Sequence, residues 1–284
     1  MRWDFGQIYK SIRLGKGLSQ KDVCHDQINR TTLSRIENDN QNTSFESMQY
    51  LLDQINVSWD EFQYICNEFQ PSFRDEIINE YYTIVSTAEI EKISKLKRKS
   101  ETYLKSSEDN KIREIHYILV ALSKLETDSP AQITSTTKKL VSLVWDRLSK
   151  IDIWTYDDIR LINAILYHLE FTTILQLVPK LRLSLQKYTA YTKIDVLQTT
   201  LLINLAYIYM QNNLLPESKT ILEEALLLAK KLNRVDFIGI SMVRLGICSN
   251  NRKQREDGLS LLNLVGHSNL IVELTKEIDT FNLD

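Results

Sequence analysis

Residues 18–40 read LSQKDVCHDQINRTTLSRIENDN, and the rest of the chain takes its meaning from this stretch. It spells two short helices joined by a tight polar turn. Ser19 is a strong N-cap, and Asp22, three residues on, places a carboxylate where the first-turn amides point. Ser-Gln-Lys-Asp is thus a near capping box, with Asp where Glu is commoner. Val23 is the inward apolar residue of the first helix. Asp26-Gln27-Ile28-Asn29 breaks the period, and Asn29 caps a second helix predicted over Arg30–Asn38. In that helix Leu33 and Ile36–Glu37 return to the core side, which leaves Arg30, Thr31, Thr32, Ser34 and Arg35 facing out. Such an outward face suits the reading of base edges. Arg makes two bonds to guanine O6 and N7, and Thr offers a hydroxyl plus a methyl for thymine.

Leu18-Ser19-Gln20, Leu33-Ser34-Arg35-Ile36-Glu37 and the apolar returns at Phe45, Met48, Leu51 and Leu52 together resemble the Cro/repressor-type (XRE) helix-turn-helix over residues 1–66. One departure is Asp26 or Gln27 at the turn, where many such motifs use Gly. Residues 4–14 are predicted as a preceding helix with Phe5, Ile8 and Ile12 inward. Lys10, Arg13 and Lys16 then lie along its outer face and end, as candidate phosphate contacts, which position a protein on DNA without reading its sequence. The resemblance gives Gln20 a DNA-contacting role. Helices over about 44–55 and 58–66, the latter led by Ser58, close the domain, with Trp59 and Phe62 as core. Residues 1–36 hold seven Lys/Arg against three Asp, a difference of +4, so a local basic patch exists although the whole chain carries a net charge of −2.

With 284 residues, 43% of them hydrophobic, the chain can bury one sizeable core or two smaller ones. Seven Gly and four Pro are few for that length and predict long helices with few sharp turns. No apolar run reaches the ~20 residues that span a bilayer, and MRWDFGQIYK is not a signal peptide. Cys24, Cys66 and Cys248 form no CxxC pair, which fits reduced thiols in a cytoplasm.

The helical pattern lapses at Pro71, so 67–73 is expected as a linker and 74–284 as a second domain. That domain is almost continuous helix-period pattern, broken at Ser106–Asp109, Thr127–Pro130, Lys150–Asp152, Asn212–Leu215 and Ser249–Arg252. Strand signals and Gly-rich phosphate loops are absent. Residues 197–233 carry Leu205-Ala206, Tyr209, Ser218, Leu222 and Ala225 at tetratricopeptide offsets, where small residues let paired helices approach closely. A shift of 40 puts Gly246, Gly258 and Leu262 at the places of Ala206, Ser218 and Leu222, and a shift back of 41 puts Ile165, Leu177 and Leu181 there. The expected fold is all-α: a helix-turn-helix domain followed by a degenerate tetratricopeptide-like α-solenoid.

The same offsets align Asn163, Asn204 and Arg244 on the first helix of successive pairs, facing a concave groove. An Asn side chain can bond both the C=O and the N–H of one residue in an extended peptide. Leu166, Ile203, Tyr207 and Met210 on that face are candidates to receive apolar side chains, Arg244 to meet a carboxylate, and Arg147 to border the groove. The terminal stripe Leu270, Leu274, Ile278 and Phe281 needs a cover, from the preceding repeat or from a second subunit.

The four His form no closed metal site with one another or with the Cys, and no GxSxG, HExxH, GxxxxGK[ST] or GxGxxG is present, so neither catalysis nor a cofactor is expected. The two halves together resemble the Rgg family of bacterial regulators, within the peptide-sensing RRNPP group of Gram-positive bacteria. That resemblance implies a cytoplasmic homodimer that binds double-stranded promoter DNA and whose repeat domain takes a short hydrophobic signalling peptide in quorum sensing. The residues alone leave a protein partner or a small molecule open as the groove's occupant.

Overall fold

The computed structural model describes residues 4–39, 42–84, 89–123, 135–191 and 194–281. The described residues are all-helical, with no strand among them, and the chain divides into two compact units, Met1–Asn79 and Glu80–Asp284.

The first unit contains α1 (Phe5–Gly15), α2 (Gln20–Val23), α3 (Arg30–Asn38), α4 (Phe45–Gln54) and α5 (Trp59–Cys66). Each polar residue before a helix does local work. The Ser19 hydroxyl accepts from the Asp22 amide at 3.4 Å while Asp22 Oδ2 accepts from the Ser19 amide at 2.7 Å. Asn29 Oδ1 accepts from the Thr32 amide at 2.8 Å, and Ser44 and Ser58 cap α4 and α5 in the same way. Val23, Leu33, Met48, Leu51, Leu52 and Phe62 are at most 2% exposed and form the core with Tyr9.

The inward stripe of α1 differs from the expected one. Gly6, Tyr9 and Arg13 are buried, and Phe5, Ile8 and Ile12 flank them partly exposed. The reason lies at Gly6, where a Cβ would sit 1.8 Å from the Ile36 carbonyl oxygen. Only a glycine admits so close an approach of two helices. Helix α1 therefore turns its smallest residue toward α3, and its apolar residues are rotated to the sides. After α5, Glu68 and Phe69 both adopt left-handed φ, 56° and 58°, before helix α6 (Phe73–Tyr82) begins. Asn67 Nδ2 ties this turn by donating to the Gln70 carbonyl at 2.8 Å. Compact packing of the first unit continues through Asn79, past the expected linker at 67–73.

The second unit is a run of helices: α7 (Ile90–Leu104), α8 (Asn110–Leu122), α9 (Ser135–Leu148), α10 (Tyr156–Ile165), α11 (Phe171–Gln186), α12 (Ile194–Gln211), α13 (Leu215–Lys231), α14 (Val235–Cys248), α15 (Arg252–Leu264) and α16 (Ser268–Thr280). Asn213, Asn233 and Asn250 follow α12, α13 and α14 with φ of 60°, 53° and 46°. Asn accepts the left-handed conformation that ends a helix more readily than other residues with a Cβ, so it marks each repeat turn. The break expected at Thr127–Pro130 lies outside the described residues.

Small residues set the helix spacing as the repeat offsets require. Ala206, Ser218 and Ala225 are fully buried between α12 and α13, and Ser218 Oγ donates to the Ala206 carbonyl at 2.9 Å. One repeat later, a Cβ on Gly258 of α15 would meet the Gly239 carbonyl oxygen of α14 at 2.9 Å. On α16, Leu270 and Leu274 are buried, and Ile278 and Phe281 join them against the same core as Phe237, Val243 and Leu262. The terminal stripe is thus covered by its own chain.

Candidate functional site

Two places bring the sequence-derived candidates together, one in each unit. In the first, α3 presents Arg30, Thr31 and Arg35 exposed, with Thr32 and Ser34 half-buried beside them. Lys10 Nζ donates to Asn38 Oδ1 at 2.7 Å and Lys16 Nζ to the Ile55 carbonyl at 2.6 Å. Each ammonium is steadied at the surface with two donors left. Gln20 Nε2 donates to Glu37 Oε2 at 2.9 Å, so this side chain is held against α3.

Arg13 is a correction. It is 3% exposed, and its guanidinium forks onto Glu37 at 2.7 and 2.8 Å while a third donor reaches the Leu18 carbonyl at 2.6 Å. These bonds to Glu37 raise its pKa further. Arg13 therefore has no donor face for phosphate; it joins α1 to α3. A buried Glu37 needs a cation, and Arg13 supplies it.

In the second unit a cavity of about 920 Å³ opens among α10, α12, α14, α16 and the end of α6. Asn163 of α10, Asn204 of α12 and Arg244 of α14 all line it, with Ile203 and Tyr207. The amides are linked: Asn204 Nδ2 donates to Asn163 Oδ1 at 3.0 Å, and Asn204 Oδ1 accepts from the Tyr167 hydroxyl at 2.9 Å. Each Asn keeps donor and acceptor capacity after these bonds.

Arg244 is already paired. Its guanidinium donates to Glu277 at 2.9 and 2.7 Å and to the Ile203 carbonyl at 3.0 Å, and lies 4.5 Å from the Tyr207 ring centre. Burial alone would lower its pKa; the Glu277 carboxylate outweighs that and keeps the group charged. The expectation that Arg244 is free to meet a ligand carboxylate is corrected accordingly.

Three further groove candidates lie elsewhere. Leu166 is fully buried because α10 ends at Ile165 and a 3-10 turn, Leu166–His168, rotates it into the core. Met210 is fully buried among Ala206, Leu222 and Val243. Arg147 pairs with Glu114 and with Asp158, the latter at 3.0 Å, away from the cavity.

Tyr82, Arg160, Tyr167 and Glu277 are among the polar lining residues that had no place among the sequence candidates. Arg160 stood one helical turn before Asn163, a signal that the repeat alignment passes over. The Arg160 guanidinium stacks 3.9 Å over the Tyr82 ring, and Tyr82 hydrogen-bonds Asp157. Burial would raise the Asp157 carboxyl, but Lys111 at 2.6 Å and Tyr82 hold it below the usual range. Among the described residues no group of His, Cys, Asp or Glu converges as metal ligands, and no helix is long and apolar enough to cross a membrane.

Residues 91–243 match the family model described as "HTH-type transcriptional regulator Rgg, C-terminal domain". Among curated proteins none matches this chain. Solved structures share the fold over nearly the whole length. A Listeria monocytogenes EGD-e protein assigned as a transcriptional regulator is 17% identical, with 99% of this chain and 98% of that one covered and a TM-score of 0.73. The SHP pheromone receptor Rgg2 of Streptococcus dysgalactiae is also 17% identical, with 97% and 99% covered and a TM-score of 0.65. PlcR of Bacillus thuringiensis, solved with the peptide PapR7 and DNA, is 17% identical, with 99% of each chain covered and a TM-score of 0.65.

Proposed function

Since the chain belongs to the Rgg family of HTH-type transcriptional regulators, we propose that it reads promoter DNA with α3 and takes a short, extended, largely apolar signalling peptide in the groove of its second unit. One observation carries the peptide half. The first helices of three successive pairs bring Asn163, Asn204 and Arg244 to one cavity floored by Tyr167 and Tyr207. Amides at repeat spacing hold a peptide backbone, and the apolar and aromatic lining receives its side chains. The likeness to PlcR, solved with a peptide and DNA, supports both halves. A cavity of about 920 Å³ also falls within the range of small-molecule pockets. The amides on successive helices favour an extended backbone over a compact ligand.

In this reading two copies pair in the cytoplasm and place their α3 helices on half-sites roughly one helical turn, about 34–36 Å, apart. Lys10 and Lys16 contact phosphates, so affinity falls with salt. Arg30, Thr31, Thr32, Ser34 and Arg35 face the groove of the duplex, with Gln20 at its edge. Peptide binding shifts the dimer between arrangements by no more than its difference in affinity for them.

Two measurements test this. Arg35→Ala is expected to weaken specific operator binding by roughly 1–3 kcal/mol and to leave non-specific binding nearly intact in titrations on both kinds of DNA. Equal losses on both would make Arg35 a phosphate contact. The double variant Asn163→Ala/Asn204→Ala is expected to lower peptide capture at least about tenfold, as loss of two backbone-directed hydrogen bonds implies. Wild-type capture by that variant sinks the assignment of the amides.

A further inference from the structure

We propose that Arg160 is the groove's seat for a ligand carboxylate and thereby selects which peptides are accepted, an inference that rests on the reading of the groove as a peptide site. Three guanidinium groups line the cavity: Arg160, Arg234 and Arg244. Two bring their own counter-ion. Arg244 is forked onto Glu277, and Arg234 Nε donates to Asp236 at 2.9 Å. Arg160 has no carboxylate at ion-pair distance among the described residues. Asp157, whose charge it feels, has its oxygens engaged by Lys111 Nζ at 2.6 Å and by the Tyr82 hydroxyl.

Arg160 is nonetheless held still. Its guanidinium carbon lies 3.9 Å from the Tyr82 ring centre, one terminal nitrogen donates to the Tyr156 hydroxyl at 2.9 Å, and the other donates to the Tyr82 carbonyl at 3.3 Å. A guanidinium has five N–H donors, and these bonds use two. A half-buried cation with no ion-pair partner among the described residues, held at both terminal nitrogens and with donors in hand, matches the two oxygens of a carboxylate. The entropy of ordering its side chain is already spent in the free protein, so less is lost on binding. Lys276 also lines the cavity, but it is an exposed point charge on a flexible stem and lacks the planar fork. The acids of the lining, Glu273 and Glu277, both belong to α16 and would repel a carboxylate there. The carboxylate therefore sits on the α10 wall. It is either the peptide's C-terminus or an Asp or Glu side chain, which present the same two oxygens.

The test uses the full-length protein and three pools of randomised apolar octapeptides. One pool has free C-termini and no acidic residue. The second is C-terminally amidated and carries one Asp or Glu. The third is amidated and has no acid. Peptides retained at equilibrium by immobilised wild type, Arg160→Gln and Arg160→Lys are counted by mass spectrometry. Wild type is expected to retain one of the carboxylate pools about ten- to hundredfold over the third, as charge-assisted hydrogen bonds imply. Preference for the first pool identifies the C-terminus, and preference for the second identifies a side chain. Arg160→Gln is expected to erase the preference, bringing retention of the carboxylate pools down to that of the third, and Arg160→Lys to restore part of it. A merely structural Arg160 would weaken all three pools alike, and that result overturns the proposal. Equal retention of the three pools by wild type overturns it too, and leaves the peptide reading standing. Retention of none overturns both.

Discussion

Glu37→Ala is expected to cost the first unit about 3–5 kcal/mol and to abolish specific DNA binding, although Glu37 itself touches no DNA in the proposed mode. The carboxylate is 1% exposed and accepts three bonds: two from Arg13 and one from Gln20. Its removal leaves the Arg13 guanidinium in a nearly dry site with only the Leu18 carbonyl for company. An isolated buried charge is far more costly than the pair is favourable, because the Coulombic gain of a buried pair roughly cancels its desolvation. The pair also fixes the docking of α1 on α3 at the Gly6 crossing, and through Gln20 it sets α2 against α3. Amide exchange in the full chain is the measure. Protection of α1 and α3 is expected to collapse toward that of an unfolded segment, while α12 to α15 keep theirs. The double replacement Arg13→Met/Glu37→Leu, which removes both charges and keeps bulk, is expected to recover most of the protection. If Glu37→Ala leaves α3 protection within about tenfold of wild type, a change of under about 1.4 kcal/mol, the pair does not join these helices.

How much of this was legible follows from where each partner sits. The span of α3 was readable because Asn29, Leu33 and Ile36 lie within eight residues of one another and act locally. The role of Arg13 was not, since its partner is 24 residues away, and the rule that apolar residues face inward fails where Gly6 makes the closest contact. A clue was present: a Glu assigned to the core side of α3 demands a cation. In the second unit the offsets of 40 and 41 were enough to bring Asn163, Asn204 and Arg244 to one cavity, because repeat geometry carries register from pair to pair. Leu166 was misplaced by a local event, the switch from α-helix to 3-10 turn after Ile165. Met210 was misplaced because α12 buries residues on every side, so its period marks no face. Glu277 escaped notice because it lies on α16, beyond the repeats whose alignment identified Arg244.

The Arg244–Glu277 pair sets the second large effect. Glu277→Ala is expected to destabilise the second unit by about 3–5 kcal/mol, by the same imbalance that governs Glu37. Arg244 is 8% exposed, and its remaining partners would be the Ile203 carbonyl and the Tyr207 ring. The pair ties α14 to α16 and, through Ile203, to α12. The loss should therefore appear as faster exchange across α16 and a lower melting temperature. Unchanged exchange across α16 would mean that its apolar stripe alone holds it. Arg244→Met/Glu277→Leu separates stability from function. The pair's desolvation roughly offsets its attraction, so this variant is expected to melt at or above wild type. It also strips the groove of a guanidinium and of the aromatic–cation stack on Tyr207. If peptide capture falls while the melting temperature holds, the ion pair is kept for what the groove must recognise. If capture is untouched, recognition rests on the Asn163–Asn204 side of the cavity and the pair is a fastening for α16.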